Sequence, residues 1–391
     1  MNIYKEERVV MTLDAGGTNF VFSAFQGGKE LIKPFVMPSH ANDLQKCLDT
    51  IVEVFKAIRG QIKGEVASIS IAFPGPADYK KGIIGDLPNF PAFKAGVPLK
   101  DMLEGLFGLP TFINNDGDLF AFGESVAGML PEVNQKLQSL GINREYKNLF
   151  GVTLGTGFGG GMVINNQLNT GDNSASSEIW LTRNPIHHHL IAEEGVSIRA
   201  IQNVYQEEAG IKCDFSPKDI YEIALGEKEG DQAAAQKAFD NMAFVIAEAL
   251  ANAMTLIDGL IVIGGGLAGA SNLIVPKVIQ HLNGTIENGK GEKIPRLVSK
   301  VYNADDPQSW KEFVADHELE IEVPFTNKKV SYRPEKRIAL GLSRLGTNRA
   351  VAIGAYAFAL SQLDENSKVP QSKFRMLGDE SMMNGKKQEN E

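Results

Sequence analysis

Short apolar runs that stop at glycine, followed by helical stripes, recur along this chain. Val9–Leu13 is a β-rich apolar run that ends at Asp14-Ala15-Gly16-Gly17-Thr18-Asn19. Phe20–Phe25 alternates and meets Gln26-Gly27-Gly28-Lys29, a hairpin signal. Leu44, Cys47, Leu48, Ile51, Val54, Phe55 and Ile58 repeat at helical spacing, which predicts a helix over 44–58. Val66–Phe73 reads as a strand stopped by Pro74-Gly75-Pro76. Thr111–Ile113 reads as a short strand that runs into Asn114-Asn115-Asp116, with a helix over Leu119–Ala127 behind it.

The second half repeats this grammar. Strands at Leu149–Leu154 and Gly161–Ile164 flank a second glycine turn, and Asn165-Asn166 is the next hairpin turn. Helical patterns follow at Glu194–Glu207, Pro217–Leu225 and Asp231–Leu256. Leu260–Ile263 enters a third turn, Gly264-Gly265-Gly266, and Asn272–Leu282 reads as helical. Strand, turn, hairpin, then helices appears twice, which predicts two related α/β halves. The boundary is expected near 127–147. Asn283–Arg337 is charged and weakly periodic and reads as a surface insertion. Ala350–Leu360 is a small-residue helix in which Gly354 and Ala355 suit close packing, and the segment from Ser367 to the end is polar.

Composition narrows the classes. The 391 residues are enough for two ordinary domains. A net charge of -9 is a poor footprint for nucleic acid. Two cysteines, Cys47 and Cys213, build no disulfide framework and suit a reducing compartment; both are expected to be buried. The first residues hold no apolar signal core, and no stretch reaches the roughly 18 uninterrupted apolar residues of a membrane span. A cytoplasmic protein with no membrane or nucleic-acid partner is expected.

The glycine turns carry the chemistry. A strand that ends in glycines presents backbone N–H groups without Cβ obstruction, which suits phosphate. Beside the first turn, the Asp14 carboxylate repels a phosphate unless a cation intervenes. Asp14 is therefore read as a Mg²⁺ holder, directly or through water, with Gly16, Gly17, Thr18 and Asn19 around phosphate oxygens; a turn-capping Asp is the alternative. Gly155, Thr156 and Gly157 suit the outer phosphates. Five glycines within 155–161 are costly for a mere bend. Gly264, Gly265 and Gly266 would let adenosine lie against the backbone, or would serve close helix–strand packing. Asp116 can take a proton from a sugar hydroxyl, or can serve as an ordinary helix cap. Asn115 can hydrogen-bond hydroxyls in both directions, and Glu178 and Glu193 are further acceptors. Three consecutive histidines, His187-His188-His189, cannot point at one metal from a regular element, so no zinc is expected there.

Taken together, these motifs resemble the ROK family (repressors, open reading frames, kinases), within the actin-like, hexokinase-type ATPase fold. The resemblance runs from about Val9 to Leu360. It implies two related ribonuclease H-like α/β domains with a ligand cleft between them. The smaller would hold 1–127 plus a C-terminal helix at about 346–362, the larger 128–345 with the insertion at 283–337, and 367–391 would be a tail. The implied activity is ATP- and Mg²⁺-dependent phosphorylation of a hexose or hexose derivative. Phe73-Pro74-Gly75-Pro76 and Leu87-Pro88-Asn89-Phe90 resemble the family's sugar-side loops, and Asn115-Asp116 with Glu124 resembles the segment that carries the base. Asp116 is thereby implied as the general base, and Gly75, Asn89, Asn115, Glu178 and Glu193 as sugar contacts; a homodimer is implied too.

The chain also departs from the family. Where many members carry a Gly-Glu-x-Gly-His run with a zinc-binding His, it reads Ser177-Glu178-Ile179-Trp180-Leu181. The cysteine cluster is absent from Asn184–Ala192, so no structural zinc is expected. Asp258-Gly259 stands where Asp-Pro is common. Two alternatives accompany the kinase expectation: a catalytically weak sugar-binding relative, and a sugar-responsive transcription regulator. The latter carries an N-terminal helix-turn-helix, for which the start of the first motif at Asp14 leaves no room.

Overall fold

The computed structural model describes residues 2–368 except 86, 88, 89, 95, 316 and 317. Its first half is built on β1 (Val9–Ala15), β2 (Asn19–Gln26), β3 (Lys29–Glu30), β4 (Phe35–Pro38) and β5 (Val66–Ala72). A small hairpin of β6 (Ile83–Ile84) and β7 (Val97–Pro98) follows, then β8 (Thr111–Asn114). The sheet order is β3-β2-β1-β5-β8, with β4 paired to β2. β1 is buried almost throughout, as a central strand with covered faces should be. The β2–β3 hairpin turns at Gly27 and Gly28, with φ of 58° and 69°, values that glycine adopts at no steric cost. Helix α1 (Leu44–Gln61) buries Cys47, Ile51, Val54, Phe55 and Ile58, and starts where the Asp43 side chain accepts the Lys46 N–H. Helix α2 (Leu99–Phe107), which the hydrophobic pattern did not single out, precedes β8.

Helices α3 (Asp116–Ala127) and α4 (Met129–Ser139) lead to the second sheet. It contains β9 (Leu149–Leu154), β10 (Phe158–Ile164), β11 (Gln167–Leu168) and β12 (Leu260–Gly264). Between β11 and β12 lie α5 (Ile198–Ala209), α6 (Pro217–Leu225) and α7 (Gln232–Ile257). After β12 come α8 (Ser271–Leu282), the hairpin β13 (Thr285–Glu287)–β14 (Lys293–Pro295), β15 (Lys300–Asn303) and α9 (Pro307–Val314). The hairpin β16 (Leu319–Glu322)–β17 (Lys329–Tyr332), β18 (Arg337–Leu342) and α10 (Thr347–Lys368) close the described chain. The sheet order is β11-β10-β9-β12-β18-β15.

The two sheets share one plan. In each, the first strand runs antiparallel to the second, the second antiparallel to the third, and the first parallel to the next long strand. The repeat expected from the alternating pattern is therefore present as a duplicated α/β unit, the actin-like ATPase fold.

Three expectations need correction. The helix expected from Glu194 begins at Ile198, because Ser197 caps it by accepting the Ala200 N–H at 3.3 Å. Glu193 and Glu194 sit before it in a 3-10 turn. The segment 283–337 is more than a surface insertion. Its two hairpins are exposed, but β15 pairs with β18 in the main sheet and buries Val301 and Tyr302. Cys213 is half-buried, whereas Cys47 is fully buried. Helix α7 is long and apolar enough to span a membrane by length and composition, yet half of its most apolar window is buried in the core. The segment expected as a tail lies outside the described residues beyond Lys368.

The halves meet through α3 and α10. A Cβ on Gly123 would lie 2.0 Å from the Ala350 carbonyl oxygen, and one on Gly354 would lie 1.8 Å from that of Leu119. Only glycine allows these backbones to cross so closely.

Candidate active site

Strand register places the carboxylates. Asp14 pairs with Ala72 across β1–β5, and Ala72 pairs with Asn114 across β5–β8. Asp14 and Asn114 are thus two strands apart, roughly 10 Å, at the carboxyl end of the parallel strands. Asn115 then caps α3, its Oδ1 accepting the Gly117 N–H at 2.8 Å. Asp116 falls one residue inside the helix, and its Oδ1 accepts the same N–H at 2.9 Å. The cap role therefore has an owner in Asn115, and Asp116 is exposed at the start of α3. The surrounding protein walls push its pKa above the ordinary carboxylate value, against the opposing effect of the Gly117 N–H. Burial, and then the Asp116 charge, push Asp14 up to about 7.

Further groups join them. Asp118, one turn edge further along α3, is 5% exposed, and no hydrogen bond reaches its Oδ1 from the described residues. Burial, then the charges of Glu178 and Asp116, hold its pKa well above the usual range. Tyr79 donates from its hydroxyl to the Phe73 carbonyl at 2.9 Å and accepts from Asn115 Nδ2 at 3.3 Å. A Cβ on Gly75 would stand 2.6 Å from that hydroxyl, so Gly75 keeps room for the tyrosine. Neither Asp118 nor Tyr79 was singled out from the sequence. The spacing Asp116-Gly117-Asp118 is the signal that was there to use. Asn89 lies outside the described residues.

The first turn is exposed at Gly17, Thr18 and Asn19, and Ser39 holds it from behind. Ser39 Oγ donates to the Gly17 carbonyl at 2.6 Å, and Ser39 N–H donates to that of Thr18 at 3.0 Å. In the second turn, Ile198 N–H donates to the Gly155 carbonyl at 3.0 Å. Glu193 Oε2 accepts the Phe158 N–H at 3.1 Å, while Glu193 Oε1 accepts from Arg199 at 2.9 Å. Glu193 thus braces the second glycine turn, a contact the sequence did not reveal. The glycine run divides in two. Gly155–Gly157 forms the turn, whereas Gly159–Gly161 belongs to β10 and admits α3: a Cβ on Gly161 would lie 2.3 Å from the Gly117 carbonyl oxygen.

The third turn touches the second, since Gly264 pairs with Thr153. Gly265 N–H donates to Thr347 Oγ1 at 2.7 Å, so that amide serves packing, as does the φ of 90° at this residue. Gly266 has open space above it. Beside it lies a cavity of about 370 Å³ whose lining includes Lys218, Tyr221, Phe239, Gly266, Leu267 and Ala270. Two aromatic rings and glycine backbone suit a flat base.

Among the described residues, no group of three or more His, Cys, Asp or Glu gathers as a metal cage. Mg²⁺ needs less, because it keeps waters and takes one or two carboxylates plus substrate phosphates. Asp14, whose charge is disfavoured first by burial and then by Asp116, is one carboxylate that a cation would stabilise, and fits that requirement.

Fold and cleft together define a two-lobed protein of the actin-like, hexokinase-type ATPase class. The chain belongs to the ROK family, whose profile matches residues 10–306. It is similar to the crystal structure of glucokinase from Parabacteroides distasonis ATCC 8503, with 51% identity and a TM-score of 0.82, covering 92% of this chain and 99% of that one. Among curated relatives, N-acetyl-D-glucosamine kinase of Vibrio atlanticus is 29% identical over 273 residues, 65% of this chain and 83% of the relative. A ROK family glucokinase from Streptomyces griseus, solved with glucose and AMPPNP, shares the fold at 19% identity and a TM-score of 0.57, covering 90% of this chain and 99% of that one.

Proposed function

We propose that this protein is a sugar kinase that transfers the γ-phosphoryl group of ATP to a hydroxyl of a hexose or N-acetylhexosamine. The observation that carries the reading is the placement of Asp14 and Asp116 at the same strand-end cleft, close enough that Asp14 feels the Asp116 charge. Asp116 is the general base. It receives the proton of the attacking hydroxyl while the new O–P bond forms and the bond to the leaving ADP oxygen breaks. Its raised pKa makes it a better proton acceptor than an ordinary aspartate.

The first and second turns hold phosphate oxygens through Thr18, Thr156 and backbone N–H groups. The cavity beside Gly266 takes the adenine, against Tyr221, whose ring is backed by Phe239. Asp14 holds Mg²⁺, which neutralises phosphate charge when bound. Asn115, Glu178 and the Gly75 loop face the sugar, and Glu193 joins the sugar side to the second phosphate turn. The first sheet with α10 forms one lobe, and the second sheet with α3 the other. The names of the relatives support the sugar-kinase class and direct the choice of substrates.

The deciding experiment is a panel of glucose, mannose, fructose, N-acetylglucosamine and N-acetylmannosamine with MgATP, following ADP. Sugar-dependent ADP release is expected with at least one. Its absence across the panel, with ATP binding intact, overturns the kinase reading in favour of a catalytically weak relative.

A further inference from the structure

We propose that Trp180 is a positioning residue of the sugar pocket: its indole N–H holds one carboxylate oxygen of Glu178 and aims the other at a sugar hydroxyl. The inference rests on the reading of Glu178 as a sugar contact given above.

The turn that carries Glu178 is tightly built. Ser177 is held at a φ of 65°, a left-handed conformation that a non-glycine residue adopts only at a steric cost. Strain of this kind persists where surrounding contacts impose it, commonly at ligand sites. Here Ile179 N–H donates to the Ser177 carbonyl at 2.6 Å, and Leu181 N–H donates to that of Glu178 at 3.1 Å. Ile179 is buried over Gly160, where a Cβ would meet it at 2.9 Å. The Glu178 side chain therefore leaves the turn toward Asp118 and Tyr79, both of which feel its charge.

Trp180 follows in the same 3-10 turn, half-buried against the core of the larger lobe, and its Nε1 donates to Glu178 Oε2. The adjacent Leu181 is 54% exposed and offers the pocket nothing polar.

The chemistry suits the location. A carboxylate beside Asp118 is repelled by it, and a hydrogen-bond donor offsets that cost. Indole N–H is a donor only, and it neither titrates nor binds metal. A histidine in this role would change charge between pH 5 and 8. With Oε2 satisfied, Oε1 is left to accept from a hydroxyl. Trp180 thereby supplies an orienting contact on the pocket wall with no ionisable group and no metal.

Kinetics with the full chain test this. Trp180→Phe keeps the ring and removes the N–H. It should raise the sugar KM about tenfold, the value of one hydrogen bond to a charged group, with kcat and the ATP KM within twofold. Trp180→His restores a ring N–H and should recover most of that loss at high pH. In a Glu178→Ala background, Trp180→Phe should add less than twofold, because the carboxylate it serves is gone.

A sugar KM unmoved by Trp180→Phe, a parallel rise of the ATP KM, or independent effects in the double variant overturns the proposal. A wild-type chain inactive with every sugar would instead remove the kinase reading beneath it, so the two failures are distinguishable.

Discussion

At the residue scale, two aspartates of the same cleft should answer differently to the same change. Asp116→Asn keeps the shape and the cap at Asn115 but removes the proton acceptor. Its kcat should fall about 10²- to 10⁴-fold, while sugar and ATP affinities, measured by calorimetry, stay within a few-fold. Near-normal turnover would strip Asp116 of its role. Asp14 carries a pKa raised to about 7 in the folded chain. A raised carboxyl binds a proton that the unfolded chain has already released, so this group's stabilising contribution is complete below about pH 4 and is lost as pH rises to about 7. Asp14→Asn should therefore stabilise the metal-free protein by roughly 1–3 kcal/mol above pH 7, with the gain vanishing near pH 4, while turnover is lost. Thermal melts at both pH values check it. The placement of these two residues was legible because each stands at a strand end beside a glycine or asparagine turn. Asp118, Tyr79 and the Glu193 brace were not legible, because their partners come from distant strands. Gly159–Gly161 misled because a glycine run reads the same whether phosphate or a helix backbone lies against it.

At the element scale, α3 joins everything. Its first turn carries Asp116, and its glycine at 123 meets α10. Its Glu124 is buried and accepts from Met129 N–H at 2.8 Å, Ser343 Oγ at 2.6 Å and Leu345 N–H at 3.0 Å. The same connection leads into Thr347, which holds Gly265. Gly354→Ala drives a methyl group into the Leu119 carbonyl, and neither backbone can yield without moving α3. It should cost at least about 2–3 kcal/mol in urea unfolding and lower kcat through displaced Asp116. Gly60→Ala, with open space around it, is the control and should be neutral or slightly stabilising. Elements with local punctuation were the readable ones. α6 begins at Ser216-Pro217 with a capping box and ends at Gly226, and the Asn165-Asn166 hairpin turns with φ of 52° and 61°. β15 escaped because only Val301 and Tyr302 of its four residues are buried, too short an apolar signal amid charge.

At the scale of the whole molecule, the cleft works only if the lobes stay together around the sugar. The loop after Gly75 belongs to the first sheet and the segment before Glu178 to the second, and Lys80 Nζ donates to the Asp172 carbonyl across them. This contact is exposed, and neither residue belongs to α3 or to the glycine turns. A donor to one backbone carbonyl contributes about 0.5–1.5 kcal/mol, or roughly a factor of 2–10. Its loss should act on the closed arrangement and not on the chemistry, because Asp116, Asp14 and the phosphate turns are untouched. Lys80→Ala should therefore raise the sugar KM 2–10-fold and leave kcat at saturating sugar within twofold. Closure also explains why water should be a poor acceptor. On the proposed reading, water cannot bridge Asn115, Glu178 and Asp116 as a sugar would, so it brings no binding energy to hold the lobes shut. ATP hydrolysis without sugar should run at least about 10²-fold below transfer, and Lys80→Ala should not speed it. Hydrolysis that rises in this variant while the sugar KM stays fixed would show that the contact shields the phosphate from water without taking part in closing over the sugar.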